Sequence, residues 1–287
     1  MKSLGLALGG GGLKGLAHIG VLEVLEANKI PINMICGTSA GSIVAALLAS
    51  GMPARKMESI ALNLKASDYI DYNIAGIVKY LAGLCLPGLR VKLNGIIKGD
   101  ALEKLVYEWT DGKSLKDVKM PISIISVDID TGQEVVFTNQ DLKIEEGNVR
   151  IVKDALLSEA VRASISIPAT FVPLDFQGMQ MVDGGVRNIV PVSAAKAMGA
   201  EYILAVNLGQ EIYQTSVSGI IQIVSRSLNI LTYETSDTAE EIFADLILFP
   251  RVSDVHLEDM DKAEQIIRAG RRVAKEQAAE IKNGLED

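Results

Sequence analysis

Twice within its first fifty residues the chain runs through an apolar stretch too short for a helix, passes at once into glycine, and continues into helix-forming sequence. The first pass is SLGLAL, GGGGLKG and LAHIGVLEVLEAN; the second is INMICG, TSAG and SIVAALLAS. Leu16, Ile19, Val21, Leu22 and Leu25 follow helical rather than alternating spacing. A strand–helix–strand–helix start of this kind calls for a parallel sheet, because a strand that returns through a helix re-enters the sheet in its original direction. The expected fold class is α/β, with helices packed on the sheet.

The rest of the chain extends this pattern. Residues 53–110 read as mostly helical and irregular. After Pro121, ISIISVDID, TGQ and EVVFTN spell strand, turn and strand. A helix is predicted from about Val152 to Ala163, stopped near Pro168. FVPLDFQGMQMVDGG supplies two short strands, and YILAVNLG is a continuous apolar run suited to a buried parallel strand. LILFP gives another strand. The last helix sets Ala263, Ile266, Ile267, Val273, Ala274, Ala278 and Ile281 on one stripe, with Lys, Arg and Glu forming a solvated face. No repeat, linker or low-complexity segment divides the 287 residues, so one domain over 1–287 is expected.

Composition removes several classes of function. A net charge of −8 and the lack of a basic face interleaved with aromatics argue against a nucleic-acid partner. Cys36 and Cys85 stand outside any C-x-x-C or mixed Cys/His cluster and read as buried, reduced thiols. His18 and His256 are too few for a histidine-rich zinc site. The most apolar long window, IAGIVKYLAGLCLPGL, is short for a membrane span and is interrupted by Lys79 and Pro87. The N-terminal LGLAL runs into glycines rather than a cleavage site, which argues against a signal peptide. The expectation is a cytoplasmic protein.

Gly10, Gly12 and Gly15 satisfy G-x-G-x-x-G between strand and helix, the setting of a dinucleotide fingerprint. That site also needs an acid about twenty residues on for the ribose hydroxyls. No acid occurs between Glu26 and Glu58, which counts against a nucleotide-binding oxidoreductase. A P-loop fails as well, since Gly112-Lys113-Ser114 has Tyr107 where the first glycine belongs. A glycine run at a helix start offers free amides and a helix dipole to any approaching negative charge. In acyl transfer that charge is a tetrahedral oxyanion. A tight, closely packed strand-to-helix turn is the alternative.

Gly37-Thr38-Ser39-Ala40-Gly41 matches G-x-S-x-G at the end of a strand and the start of a helix, the context of a nucleophile elbow. An N-cap serine fits the same place. A nucleophilic serine needs a base. Ser39, Asp183 and His256 follow the chain order of an α/β-hydrolase triad, but here the elbow follows the second strand, and His256 lies in the acidic SDVHLEDMD. His18, on the first helix, reads as a packed or capped residue. Asp183, in MQMVDGG, either turns a hairpin or faces Ser39, in which case burial must raise its pKa for it to act as a base.

Three ordered blocks, Gly10-Gly11-Gly12-Leu13-Lys14-Gly15, Gly37-Thr38-Ser39-Ala40-Gly41 and Asp183-Gly184-Gly185, resemble those of patatin-like phospholipases. ASISIP, Ala163 to Pro168, resembles a further S-x-S-x-P block of that family. The resemblance covers about residues 4–210, which leaves a C-terminal strand and helices in 211–287 to pack on this core. It implies a three-layer α/β/α fold with a mostly parallel central sheet. It also implies a hydrolase of lipid acyl esters that uses a Ser-Asp dyad and no metal or other cofactor. Carried onto this chain, Ser39 is the nucleophile and Asp183 the base, and backbone amides of Gly10, Gly11, Gly12 and Ala40 form the oxyanion hole. The substrate is a phospholipid, a lysophospholipid or a related ester. The alternatives are a catalytically silent lipid-binding protein and an esterase using His256.

From Tyr72 to Gly99 there is no Asp or Glu, while Lys79, Arg90, Lys92 and Lys98 are present among many apolar residues. Residues 72–99 read either as a lid or peripheral membrane-contacting surface, or as a buried helical insertion with a solvated edge.

Overall fold

The computed structural model of the chain describes residues 1–85, 92–142, 148–209, 216–252 and 255–286. Strand β1 (Leu4–Leu8) passes through a 3-10 turn at Gly12–Leu16 into helix α1 (Ala17–Ala27), and β2 (Met34–Thr38) passes through Ser39 into α2 (Ala40–Ala49). Among the described residues, the stretch expected to be helical and irregular holds α3 (Ala54–Asn63), α4 (Ala66–Tyr69), α5 (Ile74–Cys85) and α6 (Asp100–Trp109). Then come β3 (Ile122–Asp128), β4 (Gln133–Thr138), β5 (Val149–Val152), α7 (Leu157–Ser164), β6 (Leu174–Phe176) and β7 (Met179–Asp183). The chain closes with α8 (Val192–Ala197), β8 (Tyr202–Val206), α9 (Ile220–Phe243), β9 (Leu246–Leu248) and α10 (Ala263–Glu286).

One sheet runs in the order β5-β4-β3-β2-β1-β8-β9. It is mostly parallel: β2, β1, β8 and β9 run alongside their neighbours, as do β4 and β5. The antiparallel exceptions are the β3–β4 hairpin, the β6–β7 hairpin and the pairing of β7 with β3. The predicted helix from Val152 is shorter than expected, starting only at Leu157, and Val149–Val152 is a strand. Its β-branched residues, Val149, Ile151 and Val152, find partners along β4, a long-range pairing that local spacing does not reveal.

Helices cover both faces, giving three layers. Leu4, Leu6 and Leu8 of β1 point into a core shared with α1, α2, α3, α7 and α10. Ala7 of β1 and Cys36 of β2 face the other way, into a second core with Val192, Ala194 and Ala195 of α8 and Tyr233 and Phe243 of α9. The alternation follows from the two-residue period of a strand. Helices α1 and α10 meet backbone to backbone: a Cβ on Gly270 would stand 1.9 Å from the Ala17 carbonyl oxygen, and one on Gly20 would stand 2.0 Å from that of Ile267. Cys36 is buried and unpaired, and burial pushes its thiol pKa up. The Cys85 side chain, Pro87 and Arg90 lie outside the described residues.

Within segment 72–99 the described residues divide: Gly95, Ile97 and Gly99 are buried, while helix α5 exposes apolar side chains. On α5, Ile74, Val78 and Leu81 are 66%, 58% and 55% exposed and share one face at spacings of four and three. Lys79, Lys92 and Lys98 are exposed as well.

Candidate active site

The register of one strand brings the predicted dyad together. Along one edge of β3, Ile125 pairs with Thr38, the last residue of β2, and the next residue, Ser126, pairs with Asp183, the last residue of β7. Strand β2 runs parallel to β3 and β7 runs antiparallel, so the two strands approach end to end. Their tips stand one residue apart on β3, roughly 3.3 Å of strand rise. Beyond Thr38 comes Ser39, whose hydroxyl lies close enough to the Asp183 carboxylate to pull its pKa down.

Ser39 sits at φ 51°, ψ −125°, a left-handed conformation that a serine adopts only when its surroundings impose it. The surroundings are backbone. A Cβ on Gly37 would lie 2.5 Å from the Gly41 carbonyl oxygen, and one on Gly41 would lie 2.2 Å from that of Leu8. Any side chain at either glycine would open the turn. The N-cap reading fails, since the Ser39 side chain makes no capping bond to α2. The hydroxyl is thus left to Asp183, and the Ser39 amide donates to Ser164 Oγ at 2.9 Å.

Ser39 and Asp183 are 4% and 5% exposed. Burial drives the Asp183 pKa from 3.8 up to about 6, against the opposing pull of the Ser39 hydroxyl and the Gly185 amide. That amide donates to Asp183 Oδ1 at 2.7 Å, which fixes the carboxylate plane. Asp183 therefore has the raised pKa that a direct base requires near neutral pH.

Hydrogen bonds on four sides pin the glycine loop. Gly9 donates to the Val206 carbonyl at 3.0 Å and Gly10 to the Ile189 carbonyl at 2.9 Å. The Gly9 carbonyl accepts from His18 Nε2 at 2.8 Å, and the Gly10 carbonyl accepts from the Tyr233 hydroxyl at 2.8 Å. One expectation is corrected here: the Gly10 amide is already engaged by Ile189 and is not free for an oxyanion. The amides of Gly11, Gly12 and Ala40 have no acceptor among the described residues, as expected at the first positions of two helices. The loop and elbow touch, since a Cβ on Gly10 would stand 3.1 Å from Ser39 Cβ and one on Gly15 would stand 2.4 Å from Ala40 Cβ.

Neither histidine sits between serine and aspartate. His18 is fully buried, and burial lowers its pKa to about 4, so a neutral ring donates from Nε2 to the loop. His256 is exposed, with its amide bonded to the Asp259 carboxylate at 3.1 Å.

Residues outside the predicted dyad and amides hold this arrangement. Ser164 accepts from the Ser39 amide and donates to the Ile125 carbonyl. The Ser166 carbonyl accepts from the Asp183 amide at 2.9 Å, and its hydroxyl accepts from the buried Arg162 guanidinium at 2.6 Å. The ASISIP block therefore grips the backbone of both dyad residues. Its serines stand out in the sequence, but their partners do not. Tyr233 leaves no sequence signal, because its contact with Gly10 spans 223 residues.

A cavity of about 140 Å³ opens beside Ser39 and Gly12, walled by apolar side chains of α1, α2, α3 and α6. A lining of this kind suits an apolar ligand.

A family model described as patatin-like phospholipase matches residues 6–196. Patatin-like phospholipase domain-containing protein 6 of Mus musculus is 27% identical over 212 residues, which are 73% of this chain and 14% of that protein. Lysophospholipase NTE1 of Debaryomyces hansenii is 29% identical over 214 residues, 72% of this chain and 12% of that protein. The match thus spans about a seventh or less of the length of these relatives. Among solved structures, VipD from Legionella pneumophila is similar over 96% of this chain and 66% of its own, with a TM-score of 0.46 and 12% identity.

Proposed function

Since the chain belongs to the patatin-like phospholipase family, we propose that it is a serine hydrolase of lipid acyl esters working through Ser39 and Asp183. The observation that carries this reading is the meeting of a strained, uncapped serine at the tip of β2 with a buried carboxylate at the tip of β7 whose pKa is about 6. Ser39 Oγ attacks the acyl carbonyl while its proton passes to Asp183. The oxyanion is held by the amides of Gly11, Gly12 and Ala40 at the N-terminus of α2, where the helix dipole favours negative charge. Collapse breaks the ester bond, and the departing alcohol takes the proton from Asp183. Water then gives its proton to Asp183 and attacks the acyl-serine, and release of the fatty acid returns that proton to Ser39.

The reading is tested with a fluorophosphonate, which phosphonylates an activated serine and displaces fluoride. One adduct is expected, on the peptide bearing Ser39, and none in Ser39→Ala. Its rate should rise with pH through about 6, as Asp183 ionises. A silent lipid-binding protein would take up no label.

The exposed face of α5 suits contact with a lipid surface. Ile74, Val78 and Leu81 can enter the interface, and Lys79, Lys92 and Lys98 can meet anionic headgroups; Arg90 is outside the described residues. Among the described residues no helix is long and apolar enough to cross a membrane. Each cation near an anionic surface contributes ~1 kcal/mol. Replacing Lys79, Arg90, Lys92 and Lys98 with glutamine should therefore cost roughly tenfold or more on anionic vesicles, and little on a soluble short-chain ester. Equal losses on both substrates would assign these residues to folding or catalysis instead.

A further inference from the structure

We infer that the cavity beside Ser39 is a measured acyl site: the substrate's acyl chain lies along α2 with its tail against Trp109, and the depth to Trp109 sets the preferred chain length. This rests on the reading of Ser39 as the acyl acceptor.

The direction comes from two helices. Ala40, Ile43, Val44 and Leu47 all line the cavity, and their spacing of three, four and seven is one face of α2 running away from the nucleophile. On α6, Leu102 and Trp109 line it too, again seven residues apart. The N-terminal end of α6 lies on the Ser39 side. Just before it, the Lys98 carbonyl is bonded to Arg162, whose helix leads to Ser164 and hence to the Ser39 amide. Its C-terminal end lies at the far end of α2, where Lys113 Nζ reaches the Ser50 carbonyl at 2.7 Å. Trp109 therefore closes the end of the cavity remote from Ser39, together with Leu47 and the buried Met57.

The lining admits a tail and refuses a headgroup. Among the described residues on the cavity wall, the only hydroxyl apart from that of Ser39 belongs to Tyr69, which is spent on the Leu257 carbonyl. A charged or sugar-like group deep inside would lose its water and find little beyond the Trp109 indole N–H to replace it.

The length follows from helix geometry. Seven residues of α2, from Ala40 to Leu47, rise about 10 Å at ~1.5 Å per residue. An extended hydrocarbon with ~1.5 Å bonds at tetrahedral angles advances roughly 1.25 Å per carbon. About eight carbons beyond the carbonyl thus reach Trp109, so an acyl group of about eight to ten carbons fills the site. A longer tail must displace the indole.

Trp109 is the sole tryptophan of the chain, so its fluorescence reports the site directly. With the wild-type protein, 10-bromodecanoate, which carries its heavy atom at the tail, is expected to quench more than half of the emission at saturation. Decanoate brominated at carbon 2 should compete for the same site and quench little. Equal quenching by both, stronger quenching by the 2-bromo acid, or none by either would overturn the inference. In a second arm, p-nitrophenyl esters of four to sixteen carbons should give a kcat/KM maximum at eight to ten. Trp109→Leu, which keeps the wall apolar, should move that maximum at least two carbons longer. An unmoved maximum in a folded variant would also overturn the inference. Hydrolysis of no ester at any length would instead refute the proposed function, while the quenching result still decides the acyl site.

Discussion

Ser39→Ala is expected to lower ester turnover by roughly three orders of magnitude or more while the variant unfolds at nearly the wild-type temperature. The two effects separate because of how the residue is held. Its hydroxyl makes no cap for α2, so the loss of about 1 kcal/mol that follows removal of a capping side chain should be absent. Its amide bond to Ser164 and its carbonyl bond from Ser42 Oγ belong to the backbone and survive the substitution. The left-handed φ of 51° is equally unfavourable for alanine and serine, so the strain is unchanged. Hydrolysis of a short-chain ester and calorimetric unfolding check both halves. Wild-type turnover in the variant would refute the nucleophile, and a melting point lowered by several degrees would restore the capping role.

The parts of this site that can be read in the sequence are those fixed by neighbouring residues. Gly37 is required by backbone contact with Gly41 within a single turn, and the glycine run marks a helix start with free amides. What joins them is distant. That β7 meets β2 tip to tip on the edge of β3 depends on a register set some sixty residues away, so Asp183 could be read equally as a hairpin turn until Ser126 was found opposite it. The same distance hides the engagement of the Gly10 amide by Ile189, which narrows the expected oxyanion hole to Gly11, Gly12 and Ala40. The α/β layering was legible because helical and alternating periods differ. Strand β5 was not, because four residues in Val149–Val152 carry too little pattern to outweigh the helix that follows.

His18 shows how burial alone can separate two chemically similar candidates. A histidine on the first helix, close in sequence to the glycine loop, is a plausible base by proximity. Desolvation takes its pKa down to about 4, and its Nε2–H is committed to the Gly9 carbonyl. It therefore shapes the loop rather than accepting a proton. The same desolvation acts on Asp183 with the opposite sign, because the charged form that burial disfavours is the deprotonated one. A low-dielectric site thus disables the imidazole and makes the carboxylate a stronger base.

That cost to Asp183 yields the sharpest expectation. Asp183→Asn should remove nearly all turnover, since an amide cannot take the serine proton, and yet it should raise stability at neutral pH. The folded-state pKa of about 6 lies above the ordinary 3.8, so the native protein binds this proton more tightly than the unfolded chain does. Stability from this group is fully present below pH 3.8 and is lost as pH rises through 6. The shift of about two units corresponds to roughly 3 kcal/mol of strain in the ionised wild type at pH 8. Asparagine avoids that charge while its Oδ1 still accepts from Gly185 and its Nδ2 donates to Ser39 Oγ. Calorimetry should find the variant several degrees more stable than wild type at pH 8, with the gap closing toward pH 4. Wild-type kcat/KM should rise through an apparent pKa near 6 as the carboxylate forms. His256→Ala, altered at an exposed residue, should fold and turn over like wild type. A triad predicts the reverse for histidine, a loss of several orders of magnitude, so a folded but inactive His256→Ala enzyme would overturn the direct dyad.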